Sequence, residues 1–181
     1  MKTGGLGDVA GSLPVALAAL GADARLLLPA YHDAVARAGK LKTVAQFQVT
    51  GTVDQVQLLE GRLPGTRLIT WLIDFPAAYG RPGNPYLDSL GRLWPDNAWR
   101  FALLARVAAM LALGRSPLKW RPDVVHCHDW QTGLVPALLA PEQKRPATVF
   151  TIHNLAYQGL FPHETFVTLG LPPALWSMDA L

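Results

Sequence analysis

Disulfide chemistry is the first thing this chain lacks. Cys127 is its single cysteine, so no intrachain disulfide framework can form, and a reducing, cytoplasmic setting is expected. Charge is also sparse: Asp, Glu, Lys and Arg make up 16% of the residues, against 50% hydrophobic. That balance excludes a disordered chain. The net charge of +3 is spread along the sequence rather than clustered, which suits anionic small molecules and leaves no nucleic-acid footprint. No apolar run reaches the ~20 residues that a bilayer-spanning helix needs. The most apolar stretch, Phe101 to Leu113, is interrupted by Arg106. GxGxxG and P-loop patterns, zinc-ligand spacings, paired catalytic carboxylates, nucleophile–histidine arrangements and internal repeats are all missing too. What remains is 181 residues, enough for one ordinary domain with a real core.

The chain opens on Lys2-Thr3-Gly4-Gly5-Leu6-Gly7-Asp8, directly before a helix-like apolar run. Glycines allow close approach of the backbone to a ligand, and a helix start offers unpaired N–H groups and the positive end of a dipole. With Lys2 this makes an anion site; the competing reading is a tight strand-to-helix turn with a solvated lysine. Gly7 to Leu20 reads as a helix, stopped by Gly21. Pro14 predicts a kink there, or a second segment opened by Ser12 as N-cap.

Ala24 to Leu28 and Arg67 to Asp74 read as strands, and Thr43 to Leu59, with Gly51 as its turn, as an antiparallel hairpin. Tyr31 to Lys40 reads as a short helix or loop, and Phe75 to Trp94 as a long ordered loop. Asp96 caps a helix running to about Leu113, ended by Gly114 and apolar nearly all round. Val124 to Cys127 and Thr148 to Ile152 read as strands; Gln131 to Ala140 and His163 to Leu169 read as helices. Alternating strands and helices predict an α/β fold with a mostly parallel sheet, whose ligands bind beyond the carboxyl ends of the strands. His128-Asp129-Trp130 and His153-Asn154 fall at such ends, and so does the Lys2 loop if a strand precedes it.

His126 and His128 share one face of their strand and Cys127 takes the other. With His153, three imidazoles could approach one ion, but the spacing matches no zinc signature, and the simpler reading makes His126 and Cys127 buried sheet residues. Asp129 and His153 are the better candidates, against helix capping and a backbone-bonded loop histidine respectively. Trp130 and Tyr86 offer faces to a sugar ring, or simply pack.

Four stretches, KTGGLGDV, RPGNPY, RPDVVHCHDWQTGLVPALL and TIHNLAYQGLF, occur in an order and spacing that resembles the bacterial glycogen synthases and their plant starch synthase relatives. The resemblance implies the N-terminal Rossmann-like domain of a two-domain GT-B glycosyltransferase over residues 1–181, incomplete at both ends and without the second domain. It implies transfer of glucose from ADP-glucose to the non-reducing end of an α-1,4-glucan, with retention and without a metal. It places Lys2, Gly4 and Gly5 at the donor's phosphates, and Asp129 and His153 at the glucosyl unit, with the His153 region stabilising charge near the reacting carbon. Tyr86, Trp130, Asn154 and Tyr157 fall along the sugar cleft. A stand-alone glucan-binding module is the second reading. The family has an apolar strand before the lysine, where only Met1 stands here. In a doubly wound sheet that strand would be central, between those at Ala24 to Leu28 and Val124 to Cys127.

Overall fold

The computed structural model describes residues 4–177. Lys2 and Thr3 lie outside the described residues. The chain divides into two units, Met1–Gln48 with Asp54–Trp94, and Val49–Val53 with Pro95–Leu181.

In the first unit, helix α1 (Gly4–Ala19) leads into strand β1 (Arg25–Pro29) and the short helix α2 (His32–Arg37). Strands β2 (Lys42–Phe47), β3 (Val56–Arg62) and β4 (Ile69–Asp74) follow. The sheet order is β1-β4-β3-β2. β4 holds the centre because Thr70, Trp71, Leu72 and Ile73 are buried in succession, as expected of a strand covered on both faces. β1 pairs parallel to β4, and β3 lies antiparallel to both β2 and β4. The Trp71 indole N–H donates to Glu60 Oε2 at 3.0 Å from the neighbouring strand, and the Arg25 guanidinium lies 4.8 Å from the Trp71 ring centroid.

α1 corrects one expectation. It begins at Gly4 and runs through Pro14 to Ala19 without a break. Ser12 does not open a second segment; its hydroxyl donates back to the Asp8 carbonyl at 2.7 Å, the i−4 bond available to a serine inside a helix. The Ala- and Leu-rich stretch beyond Pro14 favours helix strongly enough to carry it on.

The loop before the second unit is ordered, as its aromatics suggest. A four-residue helix, α3 (Pro76–Tyr79), opens it. Asn84 Oδ1 accepts the N–H groups of Tyr86 and Leu87, each at 2.8 Å. Leu87 and Leu93 form a β-bridge, and the Asp88 carboxylate accepts from the Leu90 and Arg92 backbones and from the Arg92 side chain. Tyr86 is therefore held at the base of a closed turn.

The second unit is built on helix α4 (Asn97–Ala112), buried at twelve of its sixteen positions. Asp96 occupies its N-cap position but makes no side-chain capping bond, because its backbone (φ −102°, ψ 19°) departs from the extended conformation that capping geometry requires. The other end follows expectation. Gly114 takes φ +64°, its N–H reaches the Leu111 carbonyl, and the Arg115 N–H reaches that of Met110, the pair of bonds that closes a Schellman motif. Trp99 donates to the Gly51 carbonyl at 3.1 Å, while Arg106 donates to the carbonyls of Thr50 and Leu169. These bonds tie Val49–Val53 to this unit.

Strands β5 (Val124–His128) and β6 (Ala147–Thr151) pair in parallel, joined through helix α5 (Leu134–Leu139). The helix expected over Gln131 to Ala140 is instead a 3₁₀ turn, Trp130–Thr132, followed by α5. Ala105, Ala109 and Ala112 of α4 form a core with Cys127, Val135 and Leu139; the alanines keep that face flat enough for close approach. Helix α6 (His163–Thr168) and a 3₁₀ turn, Pro173–Leu175, complete the unit.

β5 and β6, linked through α5, are thus parallel, as are β1 and β4, whose connection carries α2 and the β2–β3 hairpin; the antiparallel pairs come from that predicted hairpin and its junction with β4. Among the described residues β1 pairs only with β4 and β5 only with β6. No helix among them is long and apolar enough to cross a membrane.

Candidate functional site

The site is built where β5 and β6 end. Because these strands are parallel, both carboxyl ends open on the same edge, and the register sets His128 beside Thr151. Asp129 prolongs the ladder by one bond, its N–H donating to the Thr151 carbonyl at 2.9 Å. The chain then turns sharply: Asp129 takes φ 56°, ψ 177°, the one non-glycine residue with positive φ among those described. Such a backbone costs of order 1–3 kcal/mol and persists only where the surroundings over-determine it.

Here they do. The Thr132 hydroxyl lies within hydrogen-bonding distance of the carbonyls of His128 (2.9 Å) and Asp129 (3.1 Å), and the Thr132 N–H donates to the latter. Asp129 Oδ1 accepts the His153 N–H at 2.6 Å. The two residues singled out at separate strand ends therefore meet directly. Asp129 is 9% exposed and His153 half-buried. The second carboxylate oxygen of Asp129 and Nδ1 of the His153 ring, whose Nε2 meets His128, are the groups left to meet a ligand.

The face of β5 follows the period of two. His126 and His128 stack with ring centroids 4.1 Å apart, and Cys127 points into the core at 2% exposure. Burial pushes the Cys127 thiol up to about 11, against a lesser lowering by a hydrogen bond with Thr132, so it is a packing residue rather than a nucleophile. One expectation is corrected: His126 is exposed, not buried. It lies on the face of β5 opposite the α4–α5 core, and its Nε2 sits 2.7 Å from the Thr151 hydroxyl. His128 Nδ1 lies 3.0 Å from His153 Nε2. The three imidazoles contact one another in a row, and no group of three or more potential ligand residues among those described is arranged to hold a metal ion.

His128 is held far from its ordinary titration. Burial first, then the neighbouring His126 and His153, bring it down to about 4, with Asp129 opposing. An unfolded histidine takes up its proton near 6.5. Between those values the unfolded chain binds more protons than the folded one, so stability falls as pH drops from about 6.5 to about 4 and the dependence ends below that. Urea unfolding at half-unit pH steps across this window should show that loss in the wild type. His128→Asn, which does not titrate, should lose less; equal slopes in both proteins would refute the assignment.

The remaining candidates fall in several places. The Trp130 ring packs edge-on against Phe101 (4.8 Å between centroids) and near Phe161 (5.8 Å), with Gly159 against its face. Asn154 shapes its own loop, Oδ1 accepting the Ala156 N–H and its carbonyl accepting that of Tyr157. Tyr157 is 69% exposed. Tyr86 belongs to the first unit, half-buried in the Asn84 turn. Gly4 and Gly5 are already the first residues of α1 rather than a loop before it, and the Cα of Gly5 faces open space. As first-turn residues they still carry backbone N–H groups without partners inside the helix. The approach of His153 to His128 and His126 is legible in the sequence as three imidazoles at neighbouring strand ends; the direct His128–His153 hydrogen bond is not. Sequence reasoning also missed Gly159, whose position after Tyr157-Gln158 shows only a loop.

Residues 1–181 match the family described as starch synthase catalytic domain. Glycogen synthase 1 of Methylococcus capsulatus is 60% identical over 181 residues, covering 100% of this chain and 36% of that protein. The glycogen synthase of Paramagnetospirillum magneticum is 54% identical, covering 99% of this chain and 37% of that one. The chain thus spans little more than a third of these relatives. Among solved structures, the catalytic domain of starch synthase IV from Arabidopsis thaliana, bound to ADP and acarbose, superposes with a TM-score of 0.77 at 29% identity, over 99% of this chain and 37% of that one.

Proposed function

Because this chain belongs to the starch synthase catalytic domain family, we propose that the protein transfers glucose from ADP-glucose to the non-reducing end of an α-1,4-glucan, with retention, in glycogen synthesis in the cytoplasm. The observation that carries this reading is the strained Asp129, whose carboxylate is locked to the His153 N–H at the carboxyl edge of a parallel sheet. Ligands of open α/β sheets bind at that edge. The plant relative of matching fold is bound to ADP and acarbose.

In this reading Asp129 offers its free oxygen to the glucosyl unit, and its negative charge opposes the positive charge that develops at the reacting carbon. His153 lies beside it and adds the dipole of its backbone and ring. Lys2 and the N-terminus of α1 at Gly4 and Gly5 neutralise the diphosphate as it leaves. Trp130, Asn154 and Tyr157 of the second unit border the sugar path, and a sugar contact for Tyr86 of the first unit rests on the family resemblance alone. The relatives are longer than the matched segment, and the remaining nucleotide contacts are assigned to residues beyond it, in a second Rossmann-like domain.

The test uses the full-length protein with radiolabelled ADP-glucose and glycogen. Incorporation of label into the glucan, with α-linkage shown by NMR of the product, is the expected result. Glycogen binding without any incorporation would overturn the transferase reading in favour of a glucan-binding module.

A further inference from the structure

We propose that His128 is a positioning residue for His153, holding its imidazole in one tautomer and one orientation through the Nδ1–Nε2 hydrogen bond. The inference rests on the reading above only for its kinetic consequence; the contact itself is independent of it. His128 Nδ1 and His153 Nε2 are 3.0 Å apart. The two rings lie 24° from parallel with centroids 5.3 Å apart, and His126 stacks on the His128 ring at 27°. His126 is in turn anchored by the Thr151 hydroxyl. His153 is therefore pinned twice: at its backbone N–H by Asp129 and at its ring by His128.

A hydrogen bond between two imidazoles requires a proton on one nitrogen and a lone pair on the other. Fixing that choice at His153 Nε2 fixes the state of its Nδ1 as well, in the way outer partners set the tautomer of ligating histidines. The bond survives only while the two rings are not both cationic. The titratable groups that face His128 are His126 on its own strand, His153 from the loop after β6, and Asp129 at the turn. Burial disfavours a charge on it most, and His126 and His153 add to that, so it stays neutral near neutral pH. None of the roles given to Asp129 or His153 needs His128 to touch the substrate.

Two substitutions in the full-length protein separate positioning from packing. His128→Phe keeps a flat ring for the stack but has no nitrogen. His128→Asn gives up the ring yet places a polar group near the Nδ1 position. Ring ¹⁵N NMR of His153 reads the tautomer directly, and steady-state kinetics reads its use. In His128→Phe the His153 nitrogen shifts should move to those of a mixed tautomer population. Its kcat should fall by about tenfold or more with KM for ADP-glucose little changed, since small misplacements at a reacting centre cost up to about a hundredfold. His128→Asn should keep the wild-type tautomer and most of kcat.

Wild-type ¹⁵N shifts in a folded His128→Phe protein would overturn the proposal, as would loss of the His153 tautomer in His128→Asn. If His128→Phe does not fold, His128→Gln makes the same comparison, because its amide reaches the Nε2 position instead. If the wild-type protein transfers no glucose, the functional reading fails while the NMR comparison still decides this one.

Discussion

Asp129→Asn in the full-length protein is expected to lower kcat by about 10²–10³-fold while leaving KM for ADP-glucose and the thermal midpoint close to wild type. The substitution is chosen to change one thing. Asparagine has the size of aspartate, and its Oδ1 can still accept the His153 N–H that Asp129 receives at 2.6 Å. Aspartate already holds φ 56°, ψ 177° at this position, and the isosteric asparagine adds no backbone strain to it. What is lost is the negative charge that the proposed function sets beside the reacting carbon, where it would stabilise the transition state more than the ground state. His153→Ala should fall by a similar factor. The double variant should lose much less than the product of the two, because both groups are proposed to act on the same developing charge; the bond from the backbone N–H of residue 153 survives in either single variant. Initial rates against ADP-glucose for the four proteins check this. Near-normal kcat in Asp129→Asn, or losses that simply multiply, would show that the pair does not act as a unit on the sugar.

Gly159→Ala is expected to destabilise the fold by about 2–5 kcal/mol, a large part of a typical margin of about 5–15 kcal/mol. Two costs add. Gly159 takes φ +65°, where a Cβ costs about 1–2 kcal/mol. The new methyl would also stand 2.3 Å from Trp130 Cε3 and 2.6 Å from Cδ2, and forced overpacking of that kind costs about 1–3 kcal/mol. The indole has little room to withdraw, since Phe101 packs against it edge-on and Phe161 lies close by. Gly170→Ala is the control: it has φ +62° but open space around the built Cβ, so only the backbone cost applies. Denaturant unfolding of the two variants and the wild type separates the terms. Equal losses in both variants would mean that the Trp130 contact carries no energy. Because Trp130 directly follows Asp129, a displaced indole should also disturb the site, seen as a fall in kcat at temperatures where the variant remains folded.

The sequence by itself determined what depends on neighbours in the chain. Alternation placed Cys127 in the core and His126 with His128 on the other face, because successive side chains on a strand must alternate. The Phe101 to Leu113 run had to be a helix packed on more than one side, and Gly114 ended it, since only a residue free of Cβ strain suits that turn. The Thr43 to Leu59 hairpin and the strand ends near Asp129 and His153 followed from similar short-range signals, and the four quoted motifs carried the family resemblance.

Tertiary structure alone decided the contacts that close the site. Asp129 and His153 are 24 residues apart, and their bond exists because β5 and β6 pair in one particular parallel register. The same register brings His128 to His153 and leaves His126 at the surface. Neither propensity nor spacing shows that Asp129 would adopt a positive φ, because its isolated preference is overridden by bonds to Thr151, Thr132 and His153 that form only in the folded chain. The same holds for Ser12, which its type marks as a cap and its place within α1 turns into an i−4 donor. Local sequence sets which elements form and which faces they bury; long-range register sets which side chains meet, and the chemistry of this site is made of such meetings.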